Sequence, residues 1–209
     1  MFKLTLPEGK MVKLALKKWR VFAVSLFLVT LSLVVFLHYS TVPVRSQTVA
    51  TASANLWSRA SFPVENFQQY TSPFGYRVHP ITGRRQFHGG LDIAAPLGSY
   101  VRNWWAGEVV GLSDNTGCGT MMTIRSGAWN HTYCHMMGAI ENTNQGRALV
   151  DRQGRIMIAQ GQTIPTGARI GRVGMTGRTT GPHLHWEFRL NGERIDPAQV
   201  LRRMYAQRS

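Results

Sequence analysis

Two short stretches of this chain combine residue types that can hold and use a metal ion. The first is Pro182-His183-Leu184-His185-Trp186-Glu187-Phe188. Read as a strand, it puts His183, His185 and Glu187 on one face and Leu184, Trp186 and Phe188 on the other. The apolar face belongs to a core. The polar face therefore offers two imidazoles and a carboxylate to one cleft, with neighbours roughly 7 Å apart. That spacing suits one metal ligand beside one group that acts on a substrate; the alternative is a pair of exposed histidines on a solvated strand face. The second stretch is His88-Gly89-Gly90-Leu91-Asp92. Consecutive glycines oppose a helix, so His88 is expected to lead through a close approach into a Leu91-Asp92-Ile93 strand. Imidazole nitrogen and carboxylate oxygen are both suitable zinc ligands. With one further histidine they supply three protein ligands and leave a position open, the pattern of a catalytic rather than a structural zinc site.

Of the seven histidines, His38, His79, His131 and His135 lie outside these stretches. A histidine standing alone is more often a surface or core residue than a ligand. Cys118 and Cys134 flank a predicted hairpin, with strands at Thr120 to Arg125 and Thr132 to Met136 about a turn near Gly127 to Asn130. Folding that hairpin brings the two cysteines close enough for a disulfide; two buried thiols are the alternative. A two-cysteine zinc site is disfavoured because no C-x-x-C spacing occurs.

The elements that carry these residues are short. From Phe62 onward, runs of four to seven alternating residues are broken by Gly, Pro, Asn and Asp, as in Gly107 to Gly111, Met121 to Ile124 and Arg169 to Val173. This rhythm predicts a mainly β domain over residues 62–209, an antiparallel β-sandwich or half-barrel. Ala139 to Gln162 is polar and turn-rich, with a hairpin expected at Gln153-Gly154, and is expected to be a surface excursion overhanging the cleft. Asp196 is placed to cap a short helix that begins at Pro197.

The N-terminal quarter is of another kind. Six basic residues against Glu8 give the first 20 residues +5 of the chain's net +14. Val21 to Leu37 then runs 17 residues without a charge, the lower limit for a spanning helix. Residues 1–20 are expected to be a cytoplasmic basic tail, 21–38 a transmembrane signal-anchor, and 39–61 a linker rich in Ser, Thr, Val and Ala. A cleaved signal peptide is the competing reading, in which case the protein is secreted. Either way the domain is exported, and the anchored form is a single-pass protein of the inner or plasma membrane with its domain on the periplasmic side. Export to an oxidising compartment favours the Cys118–Cys134 disulfide over free thiols. The positive charge suits an anionic membrane or an acidic wall polymer. No basic run interleaved with aromatics occurs, so no nucleic-acid partner is expected.

Six segments together resemble one known family. They are Ser72 to Gly83 (SPFGYRVHPITG), His88 to Asp92, Thr132 to Met136 (TYCHM), Ile170 to Gly177 (IGRVGMTG), Gly181 to Glu187 (GPHLHWE) and Asp196-Pro197. In this order they resemble the lysostaphin/LytM-type zinc metallopeptidases that cleave peptidoglycan peptides, over about three-fifths of the chain. The resemblance implies that His88, Asp92 and His185 hold one Zn2+ per chain, and that His183 and His135 are the catalytic histidines. It gives His131 no functional position and His79 a structural one. Glu187 is a candidate to orient a histidine from behind, with an arginine pair as its alternative. Cys134 stands where the family often has a small residue.

The implied activity is zinc-dependent hydrolysis of peptide cross-links in the bacterial cell wall, with His135 and His183 expected to titrate near neutrality and to move protons. The alternative is a non-catalytic regulator of the same fold that has lost its ligands and activates another wall hydrolase; here all five positions are filled. A biotinyl or lipoyl carrier is excluded because no lysine follows Lys18. A simple wall-binding module is separable by zinc content. The sequence leaves the oligomeric state and the identity of the cleaved bond open.

Overall fold

A computed structural model describes residues 57–78 and 82–208, all within a compact unit spanning residues 51–209. The basic tail, the expected membrane span, most of the linker, His38 and His79 lie outside the described residues. Among those described, no helix is long and apolar enough to cross a membrane.

Among the described residues, fifteen short strands, a 3-10 turn at Trp57–Arg59 and one α-helix form the domain. The principal sheet contains β1 (Gln69–Ser72), β4 (Leu91–Ala94), β14 (His183–Leu190), β8 (Trp129–Met136), β7 (Thr120–Ser126), β6 (Gly107–Ser113) and β12 (Thr163–Ile164), in that spatial order, with β15 (Glu193–Ile195) paired to β14. Its pairings are antiparallel. The sheet is open, with β1 and β12 at its ends, and forms no closed barrel. Two-stranded pairs are made by β2 (Gly75–Val78) with β3 (Arg85–His88) and by β5 (Tyr100–Arg102) with β13 (Arg169–Arg172).

Strand β14 is central: its backbone pairs with β4 and β15 along one edge and with β8 along the other, while its side chains alternate between the two faces of the sheet. Leu184, Trp186 and Phe188 are fully buried in the apolar cluster, together with Leu91 and Ile93 of β4, Tyr133 of β8 and Met122 and Ile124 of β7. Helix α1 (Pro197–Ala206) adds Val200, Leu201 and Met204. Its Asp196 side chain accepts from the Ala198 backbone N–H, and Pro197 occupies the first turn, where no intrahelical donor is lost. Residues 57–61 fold onto the domain: Trp57 meets Trp104 and Trp129 edge to face, and Arg208 donates to the carbonyls of Ser58 and Ala60.

The Ala139–Gln162 stretch keeps the expected hairpin at Gln153-Gly154 but departs from the expected surface excursion. It forms a three-stranded antiparallel sheet of β9 (Ala139–Thr143), β10 (Gly146–Asp151) and β11 (Ile156–Ala159). Ala148, Leu149, Ile156 and Ile158 on it are buried, and none of its residues lines the cleft described below. The sheet faces the core rather than overhanging the site. A bidentate pair fixes its base, with Arg172 Nε and Nη2 donating to Asp151 at 2.6 and 2.8 Å. Hydrogen bonding from Arg172 holds the Asp151 carboxyl below its ordinary range.

His131 is completely buried on β8. Its ring nitrogens hydrogen-bond Ser126 Oγ at 2.9 Å and the Tyr133 hydroxyl at 2.9 Å, and burial pushes its pKa down to about 3.

Two outcomes are expected. Asp151→Ala leaves a buried guanidinium without its partner and should cost about 3 kcal/mol in denaturant unfolding, much of it recovered by adding Arg172→Leu. The unfolded chain takes up a proton at His131 near pH 6.5, whereas the folded chain does so only near pH 3. The contribution of His131 is therefore fully present above pH 6.5 and lost as pH falls toward 3, about 1.4 kcal/mol per pH unit. Unfolding of wild type and His131→Gln at pH 7.5 and 4.5 should show a shallower loss of stability in the variant, the difference being the contribution of His131.

Candidate metal centre and cleft

Register brings the candidate ligands together. In the β14–β4 pairing His185 stands opposite Asp92, and on its other side His185 stands opposite Cys134 of β8. His88 ends β3, and Gly89-Gly90 carries the chain from it into β4. A Cβ on Gly90 would lie 2.5 Å from the Trp186 carbonyl oxygen and 2.9 Å from His185 Cε1. The glycine is thus required for the backbone to pass this close to β14.

Three donor atoms converge at the floor of the cleft. Asp92 Oδ1 lies 3.1 Å from His88 Nε2 and 2.7 Å from His185 Nδ1, and the two nitrogens are 3.0 Å apart. Ligands held about 2.0–2.1 Å from one ion at tetrahedral angles lie roughly 3.3 Å from each other. The spacing and the N, N, O chemistry therefore fit a single metal ion. Each ring has its other nitrogen engaged. His88 Nδ1 donates to the Pro73 carbonyl at 2.7 Å, and His185 Nε2 donates to Glu187 Oε1 at 3.1 Å. These bonds select the tautomers that leave Nε2 of His88 and Nδ1 of His185 available as ligand atoms. Glu187 thus stands behind a candidate ligand, and no arginine of the described residues forms an ion pair with it within 4 Å.

The cluster is electrostatically tight. Burial would raise the Asp92 carboxyl, but hydrogen bonds from His185 and His88 overcome it and hold the group well below the usual carboxylate range. Burial would lower His185; its bonds to Asp92 and Glu187 prevail and raise it to about 9. Burial likewise opposes ionisation of Glu187, and the hydrogen bond from His185 wins, keeping it ionised below its ordinary value. A buried anion here demands a cation, a proton or a metal.

His135 and His183 face each other beside this cluster, ring centroids 4.9 Å apart. His135 Nδ1 donates to the Thr176 carbonyl at 2.8 Å, and His183 Nδ1 donates to the Gly181 carbonyl at 2.8 Å. Nε2 of each is left as the ring nitrogen for chemistry, with that of His183 lying 3.6 Å from Asp92 Oδ1. Simple alternation from Tyr133, which is opposite Trp186 on the core face, would send His135 into the core. A bulge prevents this. The β7–β8 register shifts between Thr120 and Met122, and His135 takes a left-handed backbone with φ of 60°. His135 departs from expectation. Burial pushes His135 down to about 4, with its bond to the Thr176 carbonyl opposing only in part, so it is neutral at pH 7 rather than titrating there.

The cleft has a volume of about 590 Å³. Its floor is His88, Asp92, His135, His183 and His185. One wall is the β2–β3 hairpin, with Arg77, Gln86 and Phe87, and the opposite wall is Thr116 to Cys118 and Arg178 to Thr180. A Cys118–Cys134 disulfide joins this second wall to β8. Sequence reasoning singled out none of Arg77, Arg178 and Arg194, all of which line the cleft. Only their presence near family segments hinted at them.

Similarity to known proteins agrees with this geometry. Residues 86–197, which include every floor and candidate ligand residue above, match Peptidase family M23. The chain is 35% identical over 148 residues to the DD-carboxypeptidase/endopeptidase Mpg of Neisseria meningitidis, covering 69% of this chain and 30% of that protein. It is 32% identical over 137 residues to the peptidoglycan DD-endopeptidase ShyB of Vibrio cholerae, covering 65% of this chain and 28% of that protein. The chain thus spans about a third of the length of these relatives. Among solved structures, a zinc containing peptidase from Vibrio cholerae superposes with a TM-score of 0.51 at 30% identity, covering 65% of this chain and 37% of that one. On the extent of the family match and the residues it contains, the chain belongs to peptidase family M23.

Proposed function

We propose that this domain is a zinc-dependent endopeptidase that hydrolyses peptide cross-links of bacterial peptidoglycan. The observation that carries the reading is the convergence of His88 Nε2, Asp92 Oδ1 and His185 Nδ1 within 3.1 Å of one another, in a cleft that also holds His135 and His183. Membership of family M23 and the names of the relatives point the same way. His88, Asp92 and His185 would hold one Zn2+ per chain. Zinc bound there would supply Lewis acidity, activating water and polarising a carbonyl at neutral pH.

The chain's own residues do the rest. His135 enters the reaction neutral, with its proton on Nδ1 tied to the Thr176 carbonyl. Its Nε2 can take a proton from the attacking water and return it to the leaving amine. His183, held by Gly181 at Nδ1 and facing His135, turns a second imidazole Nε2 toward the same floor of the cleft, where it can exchange a proton with the reacting groups. Glu187 fixes the ring of His185 and, as a carboxylate, makes that ligand more basic. The filled ligand set favours an enzyme over a non-catalytic regulator.

For location, the reading is a single-pass protein of the inner membrane with the domain on the periplasmic side. It rests on the uncharged run of residues 21–37 and the basic flank before it.

Digestion of purified peptidoglycan by the full-length protein, read by mass spectrometry, tests the function directly. Cross-linked dimers should fall to monomers, and a chelator should stop this until zinc is restored. His88→Ala, Asp92→Ala and His185→Ala should lose zinc and activity together. His135→Ala and His183→Ala should keep about one zinc while kcat falls by about 10²–10⁴. Glu187→Gln should weaken zinc binding by about 10- to 100-fold in chelator competition, with smaller effect on the fold. An active His183→Ala enzyme would end the assignment.

A further inference from the structure

His135 reaches the cleft only with its backbone held in an uncommon conformation. Its φ of 60° is left-handed, a region that residues other than glycine seldom occupy. Two loops hold it there. Its N–H donates to the Cys118 carbonyl ahead of β7 at 2.8 Å, and its carbonyl accepts from the Gly174 N–H after β13 at 2.9 Å. The Cys118–Cys134 disulfide secures the residue before it. The residue after it, Met136, is secured by Thr176.

Both halves of the Thr176 hydroxyl are used. Oγ1 donates to the Met136 carbonyl at 2.9 Å and accepts from the Thr120 N–H at 2.8 Å. Thr120 and Met136 are buried and stand opposite each other where the β7–β8 register shifts. One hydroxyl thus stitches the start of β7 to the end of β8, across the bulge that turns His135 outward. An apolar side chain of the same shape could make neither bond. The fit is close: Gly119 takes a φ of 60°, and an added Cβ there would overlap the Thr176 hydroxyl and backbone. The main chain of the same residue acts on the ring, its carbonyl accepting from His135 Nδ1 at 2.8 Å. That bond keeps the imidazole proton on Nδ1 and leaves Nε2 bare.

We propose that Thr176 is a positioning residue, whose hydroxyl holds its own carbonyl against His135 and so fixes the tautomer that leaves Nε2 able to accept a proton. This rests on the endopeptidase reading and deepens it, because it names what prepares the proton acceptor. Thr176 does this without touching the substrate or the metal ligands; its effect on the reaction passes through His135.

The test uses full-length protein, labelled with 15N at histidine and free of metal for NMR, and zinc-loaded for kinetics on a cross-linked wall peptide. Wild type should show His135 protonated at Nδ1 and bare at Nε2. Thr176→Val should show a mixture of the two tautomers and lose up to about 100-fold in kcat, the cost of a small misplacement, with KM and zinc content unchanged. Thr176→Ser, which keeps the hydroxyl, should keep the tautomer and most of kcat. In a His135→Ala background Thr176→Val should cost nothing further, since the two residues act as a unit. An unchanged tautomer in Thr176→Val, or a loss that multiplies with that of His135→Ala, overturns the proposal. If Thr176→Val does not fold, the other two proteins decide: an Nε2 proton on His135 in wild type, or a lost tautomer or kcat in Thr176→Ser, overturns it, and their retention upholds it. A tautomer that depends on Thr176 in a wild type that cuts no wall peptide upholds the positioning role and removes the endopeptidase reading. Cleavage by wild type with a tautomer indifferent to Thr176 does the reverse.

Discussion

The pairing of β14 with β4 on one side and β8 on the other is the constraint from which the site follows. A slip of one residue would turn His183, His185 and Glu187 into the core and expose Leu184, Trp186 and Phe188. Burial of those three apolar side chains excludes such a slip, since each is worth on the order of 2 kcal/mol when removed from water. The same register sets His185 opposite Asp92, and β3 delivers His88 through two glycines to the same point. Packing energy on one face of a strand is thus converted into ligand geometry on the other.

The second face would be costly alone. Asp92 is buried to 8% exposure among histidines, and an isolated buried carboxylate is strongly disfavoured. The imidazoles, and whatever cation they share, offset that cost. The fixed hydrogen bonds of His88 to Pro73 and of His185 to Glu187 mean that the rings need not reorient to receive an ion. Beside them, His135 and His183 are oriented by backbone carbonyls rather than by side chains. Their positions depend on the loops Thr176 to Gly181 and Thr116 to Cys118, the second of which is tied by the disulfide. The site therefore combines a rigid strand-borne half and a loop-borne half held by cross-links.

What sequence revealed and what it hid divide along the range of the interactions. Alternation in His183 to Phe188 is a property of neighbours, and by itself it distinguishes the polar face of β14 from the buried one. The Asp196-Pro197 cap and the glycines after His88 are local in the same sense. His135 is different. Its place in the cleft requires a bulge and a left-handed backbone, and strict alternation from Tyr133 points the other way; only the family resemblance suggested it. In the sheet built from Ala139 to Ala159 the hairpin about Gln153-Gly154 was legible, but the third strand and the buried face were not, because the strands are short and polar residues obscure Leu149, Ile156 and Ile158. The bonds between Arg172 and Asp151, and between the Arg178 N–H and the Gly117 carbonyl, join residues distant in the chain and leave no periodic signal. The expected signal-anchor at 21–38 rests on composition alone.

The central claim is that two imidazoles and one carboxylate, and no other protein group, share one zinc ion. X-ray absorption on zinc-loaded, full-length protein measures the donor set directly. The expected result is one zinc per chain bound by two imidazole nitrogens and one carboxylate oxygen, with the remaining coordination from solvent. Sulfur in the coordination shell, a fourth protein ligand, or failure to bind zinc would contradict it.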